Sequence, residues 1–127
     1  MPRTSELYSI APQFVVPDVV RTAEYYRDVL GFELLGYFLD PPVFAIVKRD
    51  GVELHFGKSS TGETISNESV RKGLGTDAYI FVSDIVALFD ELKAKGANIV
   101  DGPTERPYDR TEIEVTDCDG HKLVFGE

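Results

Sequence analysis

Cysteine, histidine and tryptophan are scarce in this chain of 127 residues, which has one cysteine, two histidines and no tryptophan. A single cysteine, Cys118, cannot form an internal disulfide, which fits a reducing compartment. No apolar run approaches the roughly 20 residues that a membrane-spanning helix needs. Residues 1–6 lack the apolar stretch of a secretory signal. We therefore expect a cytoplasmic protein with no membrane partner.

Positive charge is also in short supply. The chain has 13 lysines and arginines against 22 aspartates and glutamates, a formal net charge of −9. A field of this sign repels nucleic acid and attracts cationic ligands. We expect no nucleic-acid partner. The acidic balance agrees with a cationic ligand, although solubility alone also explains it.

The motifs of several common enzyme classes are missing. No glycine-rich phosphate loop precedes a helix, and no Gly-X-Ser-X-Gly nucleophile elbow occurs. Cys118 lies between Asp117 and Asp119, whose carboxylates oppose thiolate formation, so we do not expect a nucleophile there. A two-histidine iron site needs two convergent histidines. His121 directly follows a turn and does not match His55, so dioxygenase chemistry is not expected either.

The same features occur twice, in the same order, about half a chain apart. Residues 11–18 align with residues 77–84, because each octet ends in Val-X-Asp where a strand would run into a helix cap. Residues 50–57 align with residues 119–126, because both read Asp-Gly-X-X-Leu-X-Phe-Gly. This shared order predicts two copies of a β-α-β-β-β unit.

Each unit carries the signals of one helix and four strands. Asp18 and Asp84 are good helix N-caps, and Gly31 and Gly96 can supply the left-handed stop. The apolar helix stripes consist of Val19, Ala23, Tyr26 and Leu30 in the first unit and Ile85, Leu88, Phe89 and Leu92 in the second. We expect strands near 11–16, 32–38, 43–48, 52–56, 78–82, 97–100, 111–115 and 122–125, with an irregular stretch around Pro103 and Pro107.

Residues 58–76 are polar and rich in glycine, serine and threonine, so we expect a linker there. The sequence thus predicts a single α+β domain with a first module at about 8–57 and a second at about 77–127.

This order of elements resembles the vicinal oxygen chelate superfamily, which includes glyoxalases, extradiol dioxygenases, fosfomycin-modifying enzymes and bleomycin resistance proteins. The resemblance runs from about residue 11 to residue 127 and rests on residues 16–18, 25–32, 49–56 and 117–127. The Arg-Asp-Gly-Val-Glu-Leu-His-Phe run and the Phe-Gly-Glu ending are most similar to the bleomycin-resistance-like branch. The resemblance implies a mixed eight-stranded half-barrel sheet with two helices outside, around a cup that a second subunit often completes. It therefore implies a homodimer.

The resemblance also implies where a metal would bind. Catalytic members hold one divalent ion with residues from the first and last strands of each unit. The matching positions here are Ala11, Asp77, His55 (or Glu53 in another register) and Val124. Alanine and valine have no donor atom, and a catalytic metal needs about three protein ligands. We predict no metal or other cofactor. One divalent ion in a degenerate site of Asp77, Glu53 and His55 is the alternative.

The strand faces that would meet at the cup carry polar and aromatic side chains. Residues two apart on a strand share a face, so Glu53 and His55 belong together, as do Tyr79 and Phe81. Tyr108 lies in an Arg-Pro-Tyr-Asp-Arg run that resembles a Pro-Trp-Gly loop of bleomycin-resistance-like proteins, with tyrosine replacing tryptophan. The predicted ligand-binding residues are Gln13, Glu53, His55, Asp77, Tyr79, Phe81, Tyr108 and Val124.

One of these assignments, His55, has a plainer alternative, and one further pair of carboxylates is not assigned to the site. His55 could be a structural histidine, satisfied by one hydrogen bond within a half-buried sheet. Glu112 and Glu114 share a strand face and suggest paired carboxylates, but they alternate with Ile113 and Val115. We therefore expect both glutamates on an exposed outer face.

We expect a metal-free protein that binds a small organic molecule, such as an amphipathic or cationic antibiotic or toxin, and sequesters it without catalytic residues. The alternative is a lyase or isomerase of the same superfamily. In that case Glu53 or Asp77 would move a proton next to a carbonyl group, and His55 would polarise the carbonyl oxygen. A third possibility is a purely structural or partner-binding dimer.

Overall fold

The computed structural model describes residues 4–127. The elements are β1 (Gln13–Val16), α1 (Val19–Asp28), β2 (Glu33–Phe38), β3 (Phe44–Arg49), β4 (Val52–Lys58), α2 (Asn67–Val70), β5 (Ala78–Phe81), α3 (Ile85–Ala94), β6 (Asn98–Arg106), β7 (Arg110–Thr116) and β8 (Lys122–Gly126). No helix in this part of the chain is long and apolar enough to span a membrane.

The strands of residues 4–127 form two four-stranded mixed sheets with the same topology. The first sheet has the order β1-β4-β3-β2 and the second the order β5-β8-β7-β6. In each sheet the first strand of the unit pairs in parallel with the last, and the other neighbours are antiparallel. The α+β fold with two β-α-β-β-β units is therefore confirmed, with its strands hydrogen-bonded as two sheets of four.

Capping aspartates begin both long helices as predicted. The Asp18 carboxylate accepts hydrogen bonds from the backbone N–H groups of Val20 and Arg21, each at 3.1 Å. The Asp84 carboxylate accepts one from the N–H of Ala87 at 3.0 Å. Each cap satisfies backbone donors that have no partner within the helix.

Two segments differ from the sequence-based expectation. The prediction of an irregular stretch around Pro103 is wrong, because strand β6 continues to Arg106 through two register shifts. Proline is tolerated there because β6 is an edge strand and the ladder is already interrupted between Asp101 and Thr104. The linker also contains a helix that was not predicted, α2, which is capped by the Ser66 side chain.

The inner faces of both sheets and both long helices share one hydrophobic core. Tyr26 of α1 packs on Phe56 of the first sheet at 4.8 Å between ring centroids. Phe14 of β1 stacks on His121, which precedes β8, at 4.6 Å. The buried cluster includes Val47, Leu54, Ile80, Leu88, Leu92, Ile113, Val115, Leu123 and Phe125. Since side chains alternate along a strand, the other face of each sheet points away from this core.

A buried carboxylate connects the two units inside this core. Asp117 is buried, and its Oδ2 accepts a hydrogen bond of 2.6 Å from the Tyr26 hydroxyl. Its Oδ1 accepts the backbone N–H groups of Asp119 and His121 at 2.8 and 2.9 Å. Burial alone would raise the pKa of Asp117, but the interactions with His121, Tyr26 and Asp119 outweigh it and lower the pKa. The carboxylate therefore stays ionised.

Replacing Tyr26 with phenylalanine should destabilise the fold, because it removes one hydrogen bond from a buried charge while keeping the ring. We expect a loss of about 1–3 kcal/mol in the free energy of unfolding. Chemical denaturation measures it. Tyr8→Phe is the matched control, since the Tyr8 side chain is exposed. Equal stability of the two variants would show that the Tyr26–Asp117 hydrogen bond contributes little.

Candidate ligand-binding site

The outward face of the first sheet carries a strip of polar side chains. The His55 Nε2 and Glu53 Oε2 atoms lie 2.6 Å apart. The His55 ring also meets Phe44 edge-on, with centroids 5.3 Å apart. Gln13 pairs with His55 in the parallel ladder, and its amide lies over Gly57. The strip therefore brings together three of the predicted ligand-binding residues and holds His55 in one orientation.

The outward face of the second sheet carries an aromatic cluster. The rings of Tyr79 and Phe81 lie 5.1 Å apart, and the Arg110 guanidinium is 5.1 Å from the Phe81 ring centroid. Val124 pairs with Tyr79 in the ladder and is buried. Tyr108 lies in the turn between β6 and β7. This cluster contains four more of the predicted residues.

Glu112 holds the aromatic cluster together. Its carboxylate accepts hydrogen bonds from the hydroxyls of Tyr79 and Tyr108, at 2.6 and 2.7 Å, and from the Nε–H of Arg106 at 3.1 Å. Only 3% of Glu112 is exposed, so the prediction that it lies exposed is wrong. Its strand face was assigned correctly, but Tyr79 from β5 and Tyr108 from the preceding turn lie against its carboxylate. The alternation of side chains along a strand predicts the face of a residue, but it does not predict which other side chains cover it.

These hydrogen bonds shift the pKa values of the partners in opposite directions. Burial raises the pKa of Tyr79 to about 12, assisted by the hydrogen bond to the Glu112 carboxylate. Burial would also raise the pKa of Glu112, but the donors from Tyr79, Tyr108 and Arg106 outweigh it and lower the pKa. The cluster is therefore an ionised carboxylate that fixes two neutral phenols.

A glycine makes the Tyr79–Glu112 contact possible. Gly126 pairs with Glu112 in the β7–β8 ladder, and the Tyr79 ring crosses this position. A Cβ atom built on Gly126 would overlap the Tyr79 hydroxyl. In the sequence, Gly126 was noted as part of the repeated Leu-X-Phe-Gly pattern and of the Phe-Gly-Glu ending, and its role beside Tyr79 was not predicted.

Asp77 anchors the linker. One oxygen of its carboxylate accepts the backbone N–H of Asn67 at 2.9 Å and the other accepts that of Lys122 at 2.8 Å. Asn67 in turn donates its side-chain amide to the carbonyl of Thr76 at 2.9 Å. Both oxygens of Asp77 are therefore engaged by the protein itself, which is unfavourable for a catalytic base.

A depression of about 370 Å³ lies where β4 meets β5. It brings together four of the predicted residues, Glu53, Asp77, Tyr79 and Phe81, with Ile10 and Pro12 in its wall. Its size falls within the range of small-molecule pockets, about 300–1,000 Å³. The other four predicted residues, which lie outside it, are Gln13, His55, Tyr108 and Val124.

The residues at the expected metal positions do not fit a divalent ion. Ala11 and Val124 lack donor atoms, Asp77 accepts two backbone N–H groups, and the remaining pair is hydrogen-bonded internally. Within residues 4–127, no three His, Cys, Asp or Glu side chains converge in a way that could hold a metal. The residues present therefore provide no complete first coordination sphere.

Two four-stranded mixed sheets with the same strand order, each built from one β-α-β-β-β unit, define the class of α+β domain. The sequence model of the Glyoxalase/Bleomycin resistance protein/Dioxygenase superfamily matches residues 9–125, and the chain belongs to this superfamily. Among curated proteins, it is 26% identical over 111 residues to the metallothiol transferase FosB of Staphylococcus haemolyticus, covering 87% of this chain and 76% of that protein.

Several solved structures have the same fold at low sequence identity. TioX from Micromonospora sp. ML1 is 21% identical with a TM-score of 0.74, over 94% of this chain and 98% of that one. The bleomycin-binding protein of Streptomyces verticillus, solved with copper(II)-bleomycin, is 22% identical with a TM-score of 0.70, over 96% and 97%. TnmS3, an antibiotic binding protein from Streptomyces sp. CB03234, is 19% identical with a TM-score of 0.72, over 97% of each chain.

Replacing Gly126 with alanine should displace the Tyr79 ring, because the added methyl group occupies the space of the phenol. We expect a loss of about 1–3 kcal/mol in the free energy of unfolding, as for other overpacked sites. Urea denaturation checks this. Gly36→Ala in β2 is the matched control, since a Cβ there meets nothing within 4 Å. A Gly126→Ala protein as stable as the control would mean that Tyr79 is not held in this position.

Proposed function

We propose that this protein binds a small amphipathic or cationic organic molecule, such as an antibiotic or toxin, on the outward faces of its sheets and sequesters it unchanged and without a metal. The observation that carries the proposal is the aromatic cluster fixed by Glu112. A protein that only sequesters needs affinity and a preformed surface, and needs no reacting group.

The cluster has the properties of a preformed binding surface. Phe81 is 68% exposed, Tyr108 60% and Tyr79 38%, although all three are large aromatic side chains. Exposed aromatic patches of this kind commonly mark interaction sites. Because Glu112 already fixes both phenols, a ligand that stacks on them loses little additional side-chain entropy on binding.

Charge supports a cationic or amphipathic ligand. The chain has a net charge of −9, and the carboxylate of Glu53 lines the depression beside Tyr79 and Phe81. Aromatic faces and carboxylates both attract organic cations. Two of the solved structures with this fold are a bleomycin-binding protein and an antibiotic binding protein, which supports the same class of ligand.

We further propose that a homodimer completes the site and that the chain acts as one binding domain in the cytoplasm. The first sheet also exposes apolar side chains, including Leu35 and Tyr37 of β2. A second copy that covers both outward faces would shield these side chains and enclose the ligand. The lone cysteine supports a reducing compartment.

Isothermal titration with copper(II)-bleomycin and a panel of cationic aromatic compounds tests the function. We expect saturable binding that weakens as salt is added, because salt screens the charge attraction. Tyr79→Ala should weaken binding about tenfold or more, as expected for an aromatic anchor. Val86→Ala, an exposed apolar position on α3, is the control. The absence of heat with every compound would contradict the proposal.

The hydrogen-bonded Glu53–His55 pair favours a second candidate, a lyase or isomerase. A histidine at 2.6 Å from a glutamate can orient that carboxylate for proton transfer next to a carbonyl group. Asp77 is less suitable, because its oxygens accept backbone hydrogen bonds. Glu53 would then be the base and His55 the group that polarises the carbonyl oxygen.

Turnover of hemithioacetals tests this candidate. If Glu53 is the base, Glu53→Gln should lower kcat about 100-fold or more. Glu33→Gln on the exposed surface of β2 should leave it unchanged. A wild-type protein without turnover above the uncatalysed rate, or equal rates for the two variants, would eliminate the enzyme hypothesis.

A further inference from the structure

A larger groove adjoins the depression and lies between α3 and the turn that joins β3 to β4. Its volume is about 630 Å³. The floor is formed by buried apolar side chains, Leu30, Phe32, Ile80, Leu88 and Phe125. The charged residues of the groove are Arg49, Asp50, Asp84 and Glu91. The groove is thus apolar inside, with more negative than positive charge around it.

The equivalent place in the other half of the repeat is filled by side chains. There α1 packs against the turn that joins β7 to β8. Arg21 and Thr22 both donate to the carboxylate of Asp119, whose side chain is 1% exposed. The His121 ring stacks on Phe14 at 4.6 Å. A guanidinium and a hydroxyl therefore fill the space beside Asp119, and a pocket of about 530 Å³ remains next to Phe14 and His121.

The repeat places smaller or apolar residues at the same positions around the groove. When Asp18 is aligned with Asp84, Ala87 stands in place of Arg21, Leu88 in place of Thr22 and Ile80 in place of Phe14. When Asp50 is aligned with Asp119, Val52 stands in place of His121. A methyl group cannot pair with a carboxylate, and valine cannot stack as an imidazole does. The groove is the space that these substitutions leave.

Asp50 consequently lacks the partners that Asp119 has. Across residues 4–127, its carboxylate makes no hydrogen bond or ion pair, although it lines the groove. The nearby Arg49 guanidinium is already engaged, because it donates to both Glu91 oxygens at 2.8 Å and to the Leu30 carbonyl at 2.9 Å. Asp84 uses its carboxylate to cap α3. Lys48 and Lys95 also line the surface beside Asp50, which is exposed, but across residues 4–127 neither forms an ion pair with its carboxylate.

We propose that this groove is a second binding site, separate from the proposed function, for a small organic cation with an apolar body. A guanidinium or ammonium group pairs with Asp50, as the Arg21 guanidinium pairs with Asp119. The apolar body lies over Val52, Ile80 and Leu88. The volume suits a small ligand, and the charges around the groove favour a cation over an anion or a neutral molecule.

The probe is n-hexylguanidinium, followed at low salt by calorimetry and by amide chemical shifts. We expect saturable binding with shifts concentrated in α3 and around Asp50. Asp50→Asn should weaken binding about fivefold, the upper range for a solvent-accessible ion pair. Hexanol, which has the same chain without the charge, should bind more weakly than the cation.

A designed variant makes the test sharper. Ala87→Arg places a guanidinium where Arg21 stands in the other half, so it should fill the groove and abolish probe binding. It should also raise the unfolding midpoint, and this gain should disappear in the Ala87→Arg/Asp50→Asn double variant. If Ala87→Arg does not fold, Asp50→Asn decides the question alone.

Tyr79→Ala separates this site from the candidate ligand-binding site, because Tyr79 lines the depression and not the groove. We expect it to leave hexylguanidinium affinity within about twofold, less than the effect of Asp50→Asn. The proposal is overturned if no saturable binding occurs, if Asp50→Asn binds as wild type does, or if Tyr79→Ala alone removes binding. If the wild-type protein binds hexylguanidinium but binds neither copper(II)-bleomycin nor any compound of the panel, only the proposed function is refuted.

Discussion

A buried carboxylate has to be hydrogen-bonded on all sides, and Asp117 meets this requirement only when the two halves of the chain are docked. Its donors are the Tyr26 hydroxyl of the first unit and two backbone N–H groups of its own turn. Without the first unit, Asp117 would lose the Tyr26 hydroxyl and keep only the two backbone donors of its own turn. The Tyr26–Asp117 contact therefore joins the two units on the core side of both sheets.

A second buried carboxylate that needs hydrogen-bond donors lies on the outward face of the second sheet. Glu112 is almost fully covered, yet it remains ionised because three donors converge on it. The covering groups are the rings of Tyr79 and Tyr108, which makes the carboxylate a support for an aromatic surface. A hydrophobic residue at 112 could pack there but could not fix the orientation of two phenols.

The internal repeat is symmetric in topology and asymmetric in chemistry. Both units have the same strand order and the same capped helix. Arg21 and Thr22 of α1 donate hydrogen bonds to Asp119 in the turn between β7 and β8. At the equivalent positions α3 has Ala87 and Leu88, which cannot do so. Side chains therefore fill the space between α1 and its facing turn at Asp119, whereas a groove remains between α3 and its facing turn.

Local signals in the sequence determined the two long helices, most strands and the repeat. Capping by Asp18 and Asp84 acts over three residues, and strand alternation acts over two, so both can be read without the fold. The same alternation correctly assigned Glu53 and His55 to one face. The short helix α2 was missed because its stability comes from docking on Asp77 and Lys122, which lie outside the helix.

Only the tertiary structure decided the environment of individual side chains. Glu112 is buried because Tyr79 lies across Gly126, and Asp77 is engaged because the linker folds back onto it. These contacts join residues from different strands and loops, so their energies depend on distances that no local pattern encodes. The sequence by itself predicted the two β-α-β-β-β units and their capped helices. The arrangement of the clefts follows from how the two halves pack.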